Sequence, residues 1–174
     1  MEEHNNEIKS YLVFKIGNEE YAVNVGKVQR ILEMQPITKI ARTPDFVCGV
    51  INLMGDVLPI IDTRLKLGME TKTYDSQTCI VILEISKGDT EIDTGIIVDS
   101  VESVIEVEKN EIKDSPDFGF DTDTNYIAGM IEKENKFIIL LNSDNIFSTS
   151  EVISINKLID SETDVSQTNK DGDE

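Results

Sequence analysis

Asp56, Asp62 and Asp99 each flank an apolar run, and carboxylates at strand ends are the raw material of general acid–base and glycosidic chemistry. The chain carries 34 Asp and Glu residues, however, so such placements follow from composition and do not single out a catalytic pair. The only histidine, His4, stands in a polar leader and no cysteine has a histidine partner nearby, which removes Ser–His and Cys–His nucleophile systems. Cys48 and Cys79 are too few and too far apart for a disulfide framework or a zinc site, and read as two small buried hydrophobes. There is no GxxxxGK[ST] loop and no GxGxxG, and Asp117 to Asp123 lacks the EF-hand order of ligands and glycine. The expected catalytic, cofactor-binding and metal sets are therefore all empty. What remains is a binding module whose apolar and glycine-containing surfaces meet other proteins.

Charge narrows the partners. A formal net charge of -18 disfavours nucleic acid, whose binding needs clustered Lys and Arg, and disfavours anionic membrane surfaces for the same reason. The longest apolar runs, such as Phe137 to Leu141, fall far short of the ~20 residues of a membrane helix. The start MEEHNNEIKS has no basic-then-apolar signal pattern, so the expected location is the cytoplasm. With 174 residues and 39% hydrophobic content, the chain is large enough for one domain or two small interlocked ones.

The elements are organised around Phe46 to Gly68. Val50 to Leu53 and Val57 to Ile61 are near-continuous apolar runs separated by Met54-Gly55-Asp56, which reads as a hairpin covered on both faces. Pro59 requires an edge, a bulge or a bend there, and Asp62 is placed to cap a short turn ending at Gly68. Upstream, Tyr11 to Ile16 and Tyr21 to Val25 form a hairpin about Gly17 to Glu20. The spacing of Val25, Val28, Ile31 and Leu32 after Asn24 then predicts a short helix. Downstream, Thr78 to Ile85 and Gly95 to Asp99 are strands flanking a polar loop, and Val101 to Val107 continues as a turn and a strand.

The second half echoes the first. Ser115-Pro116-Asp117-Phe118 repeats the form of Thr43-Pro44-Asp45-Phe46, and Ala128 to Ile131 repeats Cys48 to Ile51. From there the alignment runs without a gap, Gly55 falling opposite Asn135 and Asp62 opposite Asn142. The fold expected is all-β with minor α: two small five-stranded barrels sharing an interface, which leaves few open strand edges. Residues 1–10 read as a mobile start, 11–147 as the folded domain of two interlocked subdomains, and 148–174 as a helix from Ser150 followed by a disordered tail. That tail, residues 160–174, holds six acidic side chains and one lysine.

The run GVINLMGDVLPIIDTRLKLG, with YLVFKIGNEEYAVNVGKVQRI before it and TCIVIL, GIIVDSV and YIAGM after it, resembles the CheW family of chemotaxis coupling proteins. The resemblance covers residues 11 to 147, and its NLxGxxxPxxDxR pattern is specific. It implies two SH3-like barrels and a non-enzymatic scaffold that joins the cytoplasmic tip helices of chemoreceptors (methyl-accepting chemotaxis proteins) to the regulatory domain of the histidine kinase CheA. Carried over by position, the receptor-binding groove would hold Val28, Arg30, Gly49, Cys79, Ile80, Gly95, Val101 and Val104. The kinase-binding surface would hold Asn52, Leu53, Met54, Gly55 and Asp56. Familiar members read KVQEI and NLRG, whereas this chain has Arg30 and Met54, so an adaptor of a specialised receptor–kinase system is one alternative. A small-ligand-binding barrel is the other. Arg30 would then meet Asp56 or a carboxylate on a receptor.

Overall fold

The computed structural model describes residues 7–114 and 126–168, with side chains as far as Asp160. Eleven strands run through the described residues. β1 (Ile8–Ile16) and β2 (Glu19–Asn24) form the first hairpin, followed by β3 (Val28–Glu33), β4 (Val47–Leu53) and β5 (Asp56–Asp62). β6 (Cys79–Lys87), β7 (Thr90–Val98), β8 (Ser100–Glu108), β9 (Ile112–Lys113), β10 (Ile127–Lys133) and β11 (Lys136–Leu141) follow. α1 (Thr63–Lys66) is a single turn after β5, and α2 (Thr149–Thr168) closes the described chain.

The strands form two sheets, ordered β8-β1-β2-β11-β10-β9 and β3-β6-β7-β5-β4. The second has the five strands expected, and the first gains a sixth through the two-residue β9. The halves are exchanged between them. The opening hairpin β1–β2 pairs with β8 and β11 of the second half, and β6–β7 pairs with β3 and β5 of the first. In both sheets the exchange joins hairpins through one parallel pairing, β11 with β2 and β5 with β7.

Period-two alternation then distributes the apolar runs over three cores. Tyr11 and Val13 face the interior of the first sheet with Ala22, Val107, Ile138 and Leu140. Ile80 and Ile82 face the interior of the second with Ile51, Leu58, Ile60 and Ile97. The intervening Leu12, Phe14, Ile16, Val81, Leu83 and Ile85 meet in a central core between the sheets. Burial on both faces is why these strands read as continuous apolar runs.

Four expectations need correction. The helix over Val25 to Leu32 is a single 3-10 turn, Val25–Lys27, followed by β3. Asn24 does cap it, its Oδ1 accepting from Gly26 N at 2.8 Å, but β-branched Val28 and Ile31 then pair with Leu83 and Val81 of β6. Sheet pairing overrides the helical spacing. The polar loop drawn from Ser86 to Thr94 is a tight turn at Gly88-Asp89, with β6 and β7 paired as far as Lys87 and Thr90. The tail drawn from residue 160 is helical to Thr168, and at the start β1 already begins at Ile8. His4, Ser115 to Phe118, Asp117 to Asp123 and residues 169–174 lie outside the described residues.

Pro59 lies in β5 opposite Val50 of β4, and pairing of β5 with β7 begins only at Ile60. The proline therefore occupies the last position where β5 is still an edge on that side. α2 buries Val152 and Ile155 against the central core, with Leu158 and Ile159 beside them. Its first turn is fixed by Ser148 and Glu151, Ser148 N donating to Glu151 Oε1 at 2.8 Å and Glu151 N donating back to Ser148 Oγ at 3.2 Å.

Candidate partner-docking surfaces

The NLxGxxxPxxDxR stretch builds a rigid corner. Asn52 Oδ1 accepts from Gly55 N at 2.9 Å, tying down a turn in which Met54 and Gly55 both have positive φ, 54° and 94°. Leu53 packs on the second barrel's core. Asp62 Oδ1 caps α1, accepting from Arg64 N at 2.9 Å and Leu65 N at 3.4 Å. Arg64 forks onto Asp99, its Nε donating to Oδ1 at 3.2 Å and its Nη2 to Oδ2, while Gly17 N donates to the same Oδ2 at 2.8 Å. One carboxylate thus ties the corner after β5 to the turn of β1–β2, that is, one barrel to the other. Asp62 and Asp99, the strand-end carboxylates considered for catalysis, are both engaged in holding the backbone.

The corner displays one apolar side chain. Met54 is 84% exposed, and Arg30 of β3 places Nη1 3.7 Å from its Sδ. β3 and β4 are the two ends of the second sheet's order, so this contact bridges the edges of the curled sheet. Of the two partners expected for Arg30, Asp56 or a receptor carboxylate, Asp56 is not met, and Arg30 stands beside the 52–56 turn against Met54. Asp56 belongs to an acidic shoulder: the Asp93 carboxyl is raised from its ordinary value by burial and by the charges of Glu84, Asp56 and Glu91.

The residues assigned to a receptor groove separate into two groups. Val28, Cys79 and Val101 are half-buried and pack on the rim of the central core. Val104 is 59% exposed and pairs across the strands with Leu12 of that core. Gly49, Ile80 and Gly95 belong instead to the second barrel. Ile80 is fully buried, and a Cβ on Gly95 would lie 2.6 Å from Ile60 Cδ1 and 2.8 Å from Ile80 Cγ2. A Cβ on Gly49 would lie 2.0 Å from Thr38 O.

Both cysteines are free but only half-buried, short of the burial expected, and Cys79 Sγ donates to Gln77 O at 3.0 Å. Burial, followed by the charge of Asp62, pushes the Cys48 thiol up to about 11, against a hydrogen bond from Tyr74 that lowers it. Sequence reasoning missed Ile31, which is 46% exposed on β3, because a helical reading placed it on a buried face. Among the described residues no group of His, Cys, Asp and Glu is placed to hold a metal, and no helix is long and apolar enough to cross a membrane.

A family profile described as CheW-like domain matches residues 10–151. The chain is 33% identical over 150 residues to the chemotaxis protein CheW of Klebsiella aerogenes, covering 86% of this chain and 88% of that protein. It is 33% identical over 136 residues to the chemotaxis protein CheW of Bacillus subtilis, covering 78% and 84%. The crystal structure of the scaffolding protein TtCheW from Thermoanaerobacter tengcongensis superposes with a TM-score of 0.73 at 30% identity, covering 83% of this chain and 96% of that one.

Proposed function

This chain belongs to the CheW family of chemotaxis coupling proteins, and from that membership we propose that it is a cytoplasmic, non-enzymatic adaptor between chemoreceptor tip helices and the regulatory domain of the histidine kinase CheA. The observation that carries the reading is the rigid 52–56 corner. Asn52 and positive-φ backbone hold Met54 out into solvent at 84% exposure beside Arg30, where both side chains are available to another protein. Asn52, Leu53, Met54, Gly55 and Asp56 form the kinase-facing surface, with Arg30 added to it from β3.

The receptor side is the rim of the central core, where Val28, Cys79, Val101 and Val104 offer an apolar edge to an amphipathic helix. Gly49, Ile80 and Gly95 support that rim from inside the second barrel and do not touch the receptor. Reconstitution tests the assignment: purified chain, CheA regulatory domain and a receptor cytoplasmic fragment are mixed and analysed by sedimentation. A ternary complex that loses the kinase on Met54→Asp and the receptor on Val104→Asp supports it. Failure of the wild-type chain to bind either partner overturns it.

A second reading, a coupler specialised for a non-standard kinase or receptor, is favoured by the Arg30–Met54 contact itself. The two departures from the family pattern touch each other, so they constitute one altered patch. Affinity for the cognate kinase well above that for a kinase from a system whose coupler reads KVQEI and NLRG supports this reading, and equal affinity removes it.

A further inference from the structure

The exchange of hairpins makes β1–β2 the counterpart of β6–β7, and two pairs of counterparts differ in kind. The tight turns at Gly17-Asn18 and Gly88-Asp89 put Tyr11 in register with Ile82 and Lys9 with Ile80. In the second barrel Ile80 and Ile82 close the interior, 0% and 2% exposed. In the first, the inward row of β1 runs Val13, Tyr11, Lys9 and, among the described residues, stays open at its end. Two overlapping clefts of about 480 and 350 Å³ lie there, both lined by Lys9, Tyr11, Ala128 and Leu140.

Two ammonium groups reach these clefts, Lys9 in both and Lys109 in the smaller. Lys9 lies opposite Val107 of β8, two residues before Lys109, which lines the smaller cleft. Neither ammonium has an ion-pair partner among the described residues, in a chain with more than two acids for every base. Tyr11 lines both clefts with its ring buried, and its hydroxyl, which has no hydrogen-bond partner among the described residues, is reached by solvent. A phenol at a cleft wall can donate to an anion that enters it. The floor is apolar, from Leu140, Ala128, Val107 and Ile112. Glu7 and Asp114 also line the smaller cleft, and Lys27 in the larger one is committed to Asp144 at 3.1 Å. Such a mixed rim disfavours a polyanion and suits a single carboxylate attached to a hydrocarbon body.

We propose that the open mouth of the first barrel binds a small amphipathic carboxylate, its headgroup held by Tyr11 and by Lys9 and Lys109, its hydrocarbon on Ala128 and Leu140. The carboxylate belongs to a free short-chain acid or to the carboxy-terminus of a peptide ending in an apolar residue.

Amide chemical shifts of the isotope-labelled full chain test this, with sodium hexanoate, methyl hexanoate, inorganic phosphate, and a short apolar peptide in free-acid and amidated forms. Saturable shifts confined to residues around Lys9, Tyr11, Gly26 and Ala128 are expected with hexanoate and absent with its methyl ester. Tyr11→Phe keeps the buried ring, so it should fold normally and weaken hexanoate by about tenfold, and Lys9→Met should do the same. A free-acid peptide binding more tightly than hexanoate, with the amide form silent, assigns the source to a peptide terminus, and the reverse order assigns it to a free acid. No saturable shift with hexanoate or the free-acid peptide overturns the proposal. So does an equal response of Tyr11→Phe, or a response to phosphate alone.

Discussion

Gly49 and Gly129 occupy the same place in the two halves: each sits at a register shift in the first strand of its hairpin, β4 at Val47/Gly49 and β10 at Ile127/Gly129. Each presses on the backbone of the segment that precedes its strand. A Cβ at Gly49 would meet Thr38 O at 2.0 Å, and one at Gly129 would meet Lys113 O at 2.9 Å and Ile112 Cγ2 at 2.6 Å. Gly49 adds a φ of 146°, unfavourable for any residue with a side chain. Gly49→Ala is expected to destabilise by more than ~2 kcal/mol and Gly129→Ala by ~1–3 kcal/mol, measured by urea unfolding. Gly55→Ala, with open space around the Cβ but a φ of 94°, carries the backbone strain alone and should cost less than Gly49→Ala, which adds the clash. Equal effects at Gly49 and Gly55 would remove the close-approach argument.

The bulge shared by Gly49 and Gly129 also shows what the sequence made legible. The echo between Cys48 to Ile51 and Ala128 to Ile131 is the imprint of one hairpin geometry used twice, with the positive-φ turns Met54-Gly55 and Glu134-Asn135 aligned. Asp62 and Asn142 match as caps, the latter accepting from Asp144 N at 3.1 Å. The exchange of hairpins was not legible, because which strand pairs with which is a long-range choice that local patterns leave open. The helix assigned to Val25 to Leu32 failed for a related reason: four apolar residues fit a helical stripe, but pairing with β6 decided the outcome. At the docking surfaces, residue type alone could not separate Val104 on the rim from Ile80 in the core.

Asp99 gives the fold a defined acid sensitivity. Burial pushes its carboxyl up, but the hydrogen bonds from Arg64 and from Gly17 N outweigh this and hold it below the ordinary value. A carboxylate depressed in the folded state contributes stability above its unfolded value, about 3.9, and loses that contribution as pH falls through the folded value. Glu151, pushed up by burial but held lower overall by Lys66 and Ser148, adds a second contribution of the same sign. Stability should therefore be flat near neutrality and fall below about pH 4. Asp99→Asn should lower neutral stability by ~1–3 kcal/mol and flatten part of the acid slope, leaving the share due to Glu151. An unchanged acid slope in this variant would show that the Arg64 corner contributes nothing to it.

Arg30 and Met54 can be exchanged for the pair that the family pattern carries. Both are exposed and their mutual contact is a weak N–H···S one, so Arg30→Glu with Met54→Arg should alter stability by less than ~0.5 kcal/mol. Binding to the native kinase should weaken by more than ~1 kcal/mol, since a flexible thioether and a directional guanidinium fit different partner surfaces. Calorimetric titration of kinase and receptor with this double variant checks both halves of the statement. Wild-type affinity for both partners would mark the two residues as neutral changes.

The last prediction follows from the exchange. Residues 8–68 contribute β1 and β2 to one sheet and β3 to β5 to the other, and the second half contributes the remainder of each. Neither half holds a complete barrel. The linker between α1 and β6 is mostly exposed and contains no strand, so cutting it removes connectivity and little packing. Separately produced fragments 1–69 and 78–174 should each fail to unfold cooperatively, because the central core needs Leu12 and Phe14 from one and Leu83 and Ile85 from the other. Mixed, they should assemble one-to-one, recover the spectrum of the intact chain and bind its partners. The complex should be less stable than the chain and its stability should rise with concentration, as association replaces an intramolecular step. A sequential arrangement, with one barrel per half, predicts the opposite: two independently folding fragments with no affinity for each other. Circular dichroism and sedimentation of the fragments, alone and mixed, distinguish the two topologies directly.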